Sequence, residues 1–350
     1  MERKIWTETP DFADPYRQAY LSGIEEYIAR MNRECAQARR TYFCPEKLKK
    51  DQERYRREYL QMLGLDTFLN AGTPKANLVY VGQDDSCDIY RLTVELTEEI
   101  PFYSLLMIPK SVTGPVPLVI AQHGGGGTPE LCCDMYGKNN YNRMARRILE
   151  RGAAVLAPQL LLWSQTEIPT QRAHPIPYNR QNVDRDLKRF GTSITAMEIA
   201  GIQRSLDYVS TLDRIDPERI AMIGLSYGGY FTLHTMAADT RIKAGYCAGV
   251  FNDRDTRCFG DWGYRGSAML FQDAEVAALC APRKLFVQVG KADPVFDYRN
   301  SLPEAEQAAS YYAALGCPEN FHFDLWEGGH TVSTEDTGYD FLFDALAETE

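Results

Sequence analysis

The sequence predicts an α/β fold: a mostly parallel central sheet with helices on both faces, preceded by an N-terminal helical extension. Three observations predict it. From Leu118 onward, short apolar runs alternate with segments whose apolar residues recur at helical spacing, the rhythm of repeated strand–helix units. The first 64 residues carry helical periodicity and no strand-like run. Finally, Arg219-Ile220-Ala221-Met222-Ile223 runs through Gly224-Leu225-Ser226-Tyr227-Gly228-Gly229 straight into a helix-compatible stretch. Such an abrupt strand-to-helix turn needs small residues two before and two after its centre, and Gly224 and Gly228 stand there.

Taken in order, Tyr16, Tyr20, Ile24, Tyr27, Ile28, Met31 and Cys35 mark an amphipathic helix between Asp11 and Arg40. Pro45 opens a second helix, with Leu48, Tyr55, Tyr59 and Met62 on one side, which stops near Gly64. Helices adjacent in sequence usually pack locally, so a hairpin lying on the main body is expected. The sharper reading is an arm that covers a neighbouring subunit or the active-site mouth. Residues 1–64 are thus read as the extension and 65–350 as one catalytic domain.

Between Leu78 and Pro109 the period changes to two, predicting antiparallel opening strands. Strands then follow at Leu118 to Gln122, Ala153 to Ala157, Arg219 to Ile223, Ala244 to Val250, Leu285 to Val289 and Phe321 to Trp326. Helices fall near Tyr141 to Glu150, around Ile199 to Val209, after Ser226 to about Ala238, around Glu304 to Leu315, and over Tyr339 to Leu346. Two stretches, about 160–191 and 251–272, are too long for simple connections and are read as pocket-forming insertions. In such sheets ligands bind beyond the carboxyl ends of the strands.

Composition narrows the function. Acidic residues outnumber basic ones by 48 to 38, a net charge of −10 that opposes attraction to nucleic acid or anionic membranes. Met1 to Glu8 lacks the apolar core of a secretion signal, and no run approaches the roughly 20 apolar residues of a membrane span. A cytoplasmic location is expected. Nine cysteines without ligand-like spacing fit a reducing compartment, and Cys132-Cys133 reads as two ordinary thiols. Nothing calls for a metal or a cofactor.

A serine hydroxyl needs a base within hydrogen-bond reach, and that base needs a third group to fix its tautomer. Five histidines are available. His330 follows the last strand in Trp326-Glu327-Gly328-Gly329-His330, whose glycines let the loop fold back toward Ser226. His322 lies within that strand, His234 two turns into the helix after Ser226, and His174 in a proline-rich loop, so packing or exposure explains them better. Asp293 follows a strand in Gly290-Lys291-Ala292-Asp293-Pro294 and is the expected acid; Asp297 is the runner-up, with Asp253 and Asp261 behind. The oxyanion of acyl transfer needs N–H donors: one from Tyr227, the second from the loop His123-Gly124-Gly125-Gly126-Gly127, with Gly125 favoured and Gly124 the alternative. Trp163, Asp261 and Trp262, in the two insertions, are the candidate substrate-binding residues.

With these motifs the chain resembles α/β-hydrolases of the dienelactone hydrolase and acetyl xylan esterase-like type. The resemblance runs from about Leu78 to the C-terminus through the glycine loop, Asp216-Pro217-Glu218-Arg219-Ile220, Ala281-Pro282-Arg283 and the segments bearing Asp293 and His330. It implies a serine nucleophile, as in the esterase branch, where dienelactone hydrolases proper carry cysteine. A serine carboxylesterase acting on small or sugar-linked esters, acetyl esters among them, is the leading expectation. An amidase or peptidase of the prolyl-oligopeptidase kind and a non-catalytic binding protein on the same scaffold stand as alternatives. A homo-oligomer through the N-terminal helices is a further expectation.

Overall fold

The computed structural model describes residues 4–68, 72–163 and 178–347. The chain opens with α1 (Asp14–Tyr42) and α2 (Pro45–Leu63), then three strands, β1 (Ala76–Gln83), β2 (Cys87–Thr97) and β3 (Ile100–Pro109). There follow β4 (Val116–Gln122), α3 (Pro129–Cys132), α4 (Met144–Glu150), β5 (Ala154–Pro158), α5 (Arg180–Lys188) and α6 (Ile194–Val209). The unit around Ser226 is β6 (Ile215–Leu225) and α7 (Tyr227–Ala238), succeeded by β7 (Ile242–Ala248), α8 (Ser267–Leu270) and α9 (Asp273–Cys280). The chain closes with β8 (Lys284–Gly290), α10 (Leu302–Ala314), β9 (Phe321–Trp326) and α11 (Thr337–Ala347).

All nine of these strands form one sheet in the order β1-β2-β3-β5-β4-β6-β7-β8-β9. β1 to β3 and the β3–β5 pair are antiparallel, and every pair from β5 through β9 is parallel. Because strand side chains alternate, β4 sends Leu118 and Ile120 into one core, with α2, α6, α7, α9 and α10. Val119 and Ala121 enter a second core, with α4 and α11. The expected two-faced sheet is therefore what forms. Its parallel register puts Gln122 of β4 beside Gly224 of β6, and Gly290 of β8 beside Trp326 of β9. The loops after β4 and β6, and those after β8 and β9, consequently leave the sheet as neighbours.

Three local expectations change. The helix anticipated from Tyr141 starts at Met144, because Asn142 and Arg143 take φ of 49° and 61° and Tyr141 turns inward. The insertions are partly helical, holding α5 and α8, while His174 and the prolines 169, 175 and 177 lie outside the described residues. Of the helical hairpin expected on the body, α2 packs there along its length, whereas α1 is held near its C-terminal end. α2 buries Leu48, Tyr55, Tyr59 and Leu63 and ends at Gly64 with φ of 76°, where a Cβ would come 2.3 Å from Gly191 O. Among the residues of α1 only Cys35 is buried.

This contrast is measurable. Tyr59 is fully buried in the core, so Tyr59→Ala should cost about 3–5 kcal/mol. Arg33→Ala on α1 should change stability by less than about 0.5 kcal/mol in the same chemical denaturation experiment.

Candidate active site

The turn after β6 is strained. Ser226 has φ 60° and ψ −120°, a conformation costing on the order of 1–3 kcal/mol for a residue with a side chain. Its neighbours leave room for nothing larger than hydrogen: a Cβ on Gly224 would lie 2.3 Å from Gly228 O, and one on Gly228 would lie 2.1 Å from Gln122 O. Ser226 N donates to Ala248 O at 2.8 Å, tying the turn to the end of β7. The hydroxyl thus stands at the carboxyl edge of the sheet, at the N-terminus of α7.

His330 reaches the same place from the loop after β9. A Cβ on Gly249, the residue after Ala248 and β7, would sit 3.2 Å from His330 Nδ1 and 3.0 Å from Leu225 Cδ1. The imidazole and the serine turn therefore bracket one backbone segment. Nδ1 donates to Asp293 Oδ2 at 2.7 Å. Asp293 has no exposed side-chain surface, and its Oδ1 accepts from the amides of Val295 at 2.7 Å and Phe296 at 3.0 Å. Phe296 lies against the imidazole, ring centres 5.9 Å apart. With Nδ1 occupied as the donor, Nε2 is the nitrogen with a lone pair to accept a proton.

The other candidates are engaged elsewhere. Asp297 pairs with Arg299 at the surface, and Asp253 caps its own turn at Asp255 N. His234 bonds the Tyr59 hydroxyl, and His322 stacks on Phe286.

Sequence reasoning missed the polar groups that hold the histidine loop. Asn140 Nδ2 donates to His330 O at 2.8 Å, and Asn140 O accepts from Val332 N at 3.1 Å. Arg147, on α4, donates to Ser333 O at 2.6 Å and to Asp336 at 2.7 Å. Gln288 Oε1 accepts from Ser333 N at 2.9 Å. Only Gln288 left a sequence signal, as a polar residue inside the apolar run of β8.

The glycine loop lies against the serine. A Cβ on Gly124 would stand 3.3 Å from Ser226 Cβ, and one on Gly125 would stand 3.5 Å from the Tyr227 ring. The Gly124 amide donates to the Tyr141 hydroxyl at 2.9 Å, which takes it out of contention as an oxyanion donor. His123 is buried and anchors the loop: Nδ1 donates to Gly124 O at 2.9 Å, and Nε2 accepts from Leu160 N at 3.1 Å. Burial pushes its pKa down to about 4.

Two of the three substrate-binding candidates are held by neighbouring side chains. Asp261 is buried and accepts from Arg180 Nε at 2.7 Å and from the Tyr227 hydroxyl at 2.9 Å. Arg180 also donates through both terminal nitrogens to Glu198, each at 2.8 Å. Burial opposes the charge on Arg180, but the two carboxylates outweigh it and raise its pKa. Trp262 is 4% exposed and stacks on Tyr230 at 4.4 Å, with Tyr227 against its edge at 5.0 Å. Both residues therefore pack against Tyr227. Trp163 stays half-buried beside the glycine loop, its backbone bridged to Gly126 and its ring 4.6 Å from Tyr178.

Removing Arg180 should leave two buried carboxylates unpaired, so Arg180→Met is expected to lose about 3–5 kcal/mol of stability in urea unfolding. His123 sets a pH dependence. The unfolded chain binds that proton near pH 6.5, the folded chain only near 4, so stability falls as pH drops through this window. His123 accounts for roughly 3 kcal/mol of that fall. Unfolding of His123→Asn at about pH 7 and about pH 4.5 should show a correspondingly smaller loss than the parent chain.

Comparison with known proteins places this geometry. Residues 102–250 match the model of the dienelactone hydrolase family. YtaP of Bacillus subtilis (strain 168), described as a candidate hydrolase, is 23% identical over 254 residues, covering 67% of this chain and 78% of that protein. A Bacteroides fragilis structure described as a candidate acetyl xylan esterase superposes with a TM-score of 0.66 at 18% identity, covering 81% of this chain and 77% of the other. A glucuronoyl esterase from Solibacter usitatus superposes with a TM-score of 0.58 at 16% identity, covering 83% and 92%. The chain thus has the α/β-hydrolase fold of these structures, and its residues 102–250 are similar to the dienelactone hydrolase family.

Proposed function

We propose that the chain is a serine esterase in which Ser226, His330 and Asp293 form the catalytic triad. The observation that carries this reading is the bond from His330 Nδ1 to a buried Asp293, beside the backbone segment that also holds the strained Ser226 turn. Nε2 of His330 takes the Ser226 proton as Oγ attacks the ester carbonyl. The amides of Tyr227 and Gly125 receive the oxyanion, each worth about 2.7–4 kcal/mol in the transition state. His330 then returns the proton to the departing alcohol, and water repeats the sequence on the acyl-enzyme. Tyr227 is well suited to its part, because its hydroxyl is clamped by Asp261 and its ring by Trp262.

The substrate class we assign is short acyl esters of a carbohydrate or other polyol. The named activities of the structural neighbours, acetyl xylan and glucuronoyl ester hydrolysis, support a carbohydrate ester, and Trp163 beside the glycine loop offers a ring for a sugar face.

The test is a substrate panel. Acetylated sugars should be turned over faster than long-chain nitrophenyl esters and dipeptidyl anilides; preference for the long chains removes the short-acyl assignment, and preference for the anilides makes the protein an amidase. Ser226→Ala should lower kcat by about 10⁴-fold or more and abolish fluorophosphonate labelling. A parent chain that resists labelling would sink the triad itself.

A further inference from the structure

We infer that α1 is a dimerisation arm, and that its partner is α1 of a second copy of this chain. The helix is anchored at its C-terminal end: Cys35 is buried, and Arg39 pairs with the buried Glu275 at 3.2 Å. N-terminal to that anchor the apolar face is left exposed among the described residues. Phe12 is 69% exposed, Tyr16 79% and Tyr20 74%, and Ile24, Tyr27 and Ile28 continue the exposed face. Taking about 200 Å² for an aromatic side chain, the rings of Phe12, Tyr16, Tyr20 and Tyr27 leave roughly 550 Å² in water. A stable interface buries about 800 Å² per partner, so this face, with Ile24 and Ile28 added, supplies most of it.

The spacing says how it would pair. Tyr16, Tyr20, Ile24 and Ile28 stand four residues apart on α1 and form a single ridge, which Phe12 in the short 3₁₀ turn before the helix extends, so that Tyr20 is the middle of the five. Ridges of this kind mesh with their own copies at about −50°. A two-fold axis at Tyr20 then makes the contact isologous and closed. Since each body sits at the C-terminal end of its arm, the antiparallel crossing keeps the bodies apart. It also lays the aromatic half of one ridge, Phe12 and Tyr16, on the aliphatic half of the other, Ile24 and Ile28.

A membrane surface fits less well. The charges beside the ridge are Asp14, Glu25 and Glu26 against Arg17 and Arg30, without the basic surplus of a helix that binds anionic lipid, and the chain carries −10 overall.

Sedimentation velocity of the full chain should give twice the monomer mass. A variant with Tyr20→Asp and Ile24→Asp should run as a monomer with an unchanged thermal melt and unchanged kcat per chain. Independently, Tyr20→Cys should form a disulfide-linked dimer under mild oxidation far faster than Arg33→Cys, which lies on the opposite face. A monomeric parent at about 50 μM, far above typical dimer dissociation constants, overturns the proposal. So does a double variant that stays dimeric, or equal cross-linking of the two cysteine variants. A monomeric parent that co-sediments with phosphatidylserine vesicles overturns it in favour of a lipid surface.

Discussion

The left-handed turn at Ser226 is the constraint around which the rest is arranged. A side chain held at φ 60° is unfavourable, and the turn persists because its surroundings permit no relaxation. Gly224 and Gly228 touch across it, Gly228 touches Gln122 of β4, and the serine amide is bonded to β7. Three adjacent strands thus converge on one residue. The same tight contact brings the glycine loop after β4 against Ser226 and leaves Gly249 as the seat for His330.

Around this turn, buried polar groups do the positioning. On one side Asn140, Arg147 and Gln288 hold the loop that delivers His330. On the other, the Arg180–Glu198–Asp261 cluster joins α5, α6 and the second insertion to the Tyr227 hydroxyl. Such clusters are weak sources of net stability but severe to disrupt, since loss of one member strands the others without water. Their effect is geometric: the Tyr227 side chain and the His330 loop are each fixed through several independent bonds, the preorganisation that the proposed acyl transfer would reward.

The N-terminal region divides in two for a simple physical reason. Both helices are amphipathic by spacing, yet α2 puts its apolar side into the main core while α1 keeps most of its own in water. Periodicity reveals that a face exists; it carries no information about what lies against it.

The backbone pattern, then, was legible. Strand and helix periods and the glycines around Ser226 follow from local chemistry, since a sharp turn excludes side chains wherever it occurs. What the linear order could not reveal is contact between remote residues. Gly124 and Gly125 look equivalent in sequence, and only the folded chain shows that Tyr141 claims the first amide. Asp261 and Trp262 look free in sequence, and only the folded chain shows Arg180 bonded to the first and Tyr230 stacked on the second. Sequence alone determined which groups had the chemistry. Tertiary structure decided which were free to use it, because burial and hydrogen-bond partners are set by neighbours dozens of residues away.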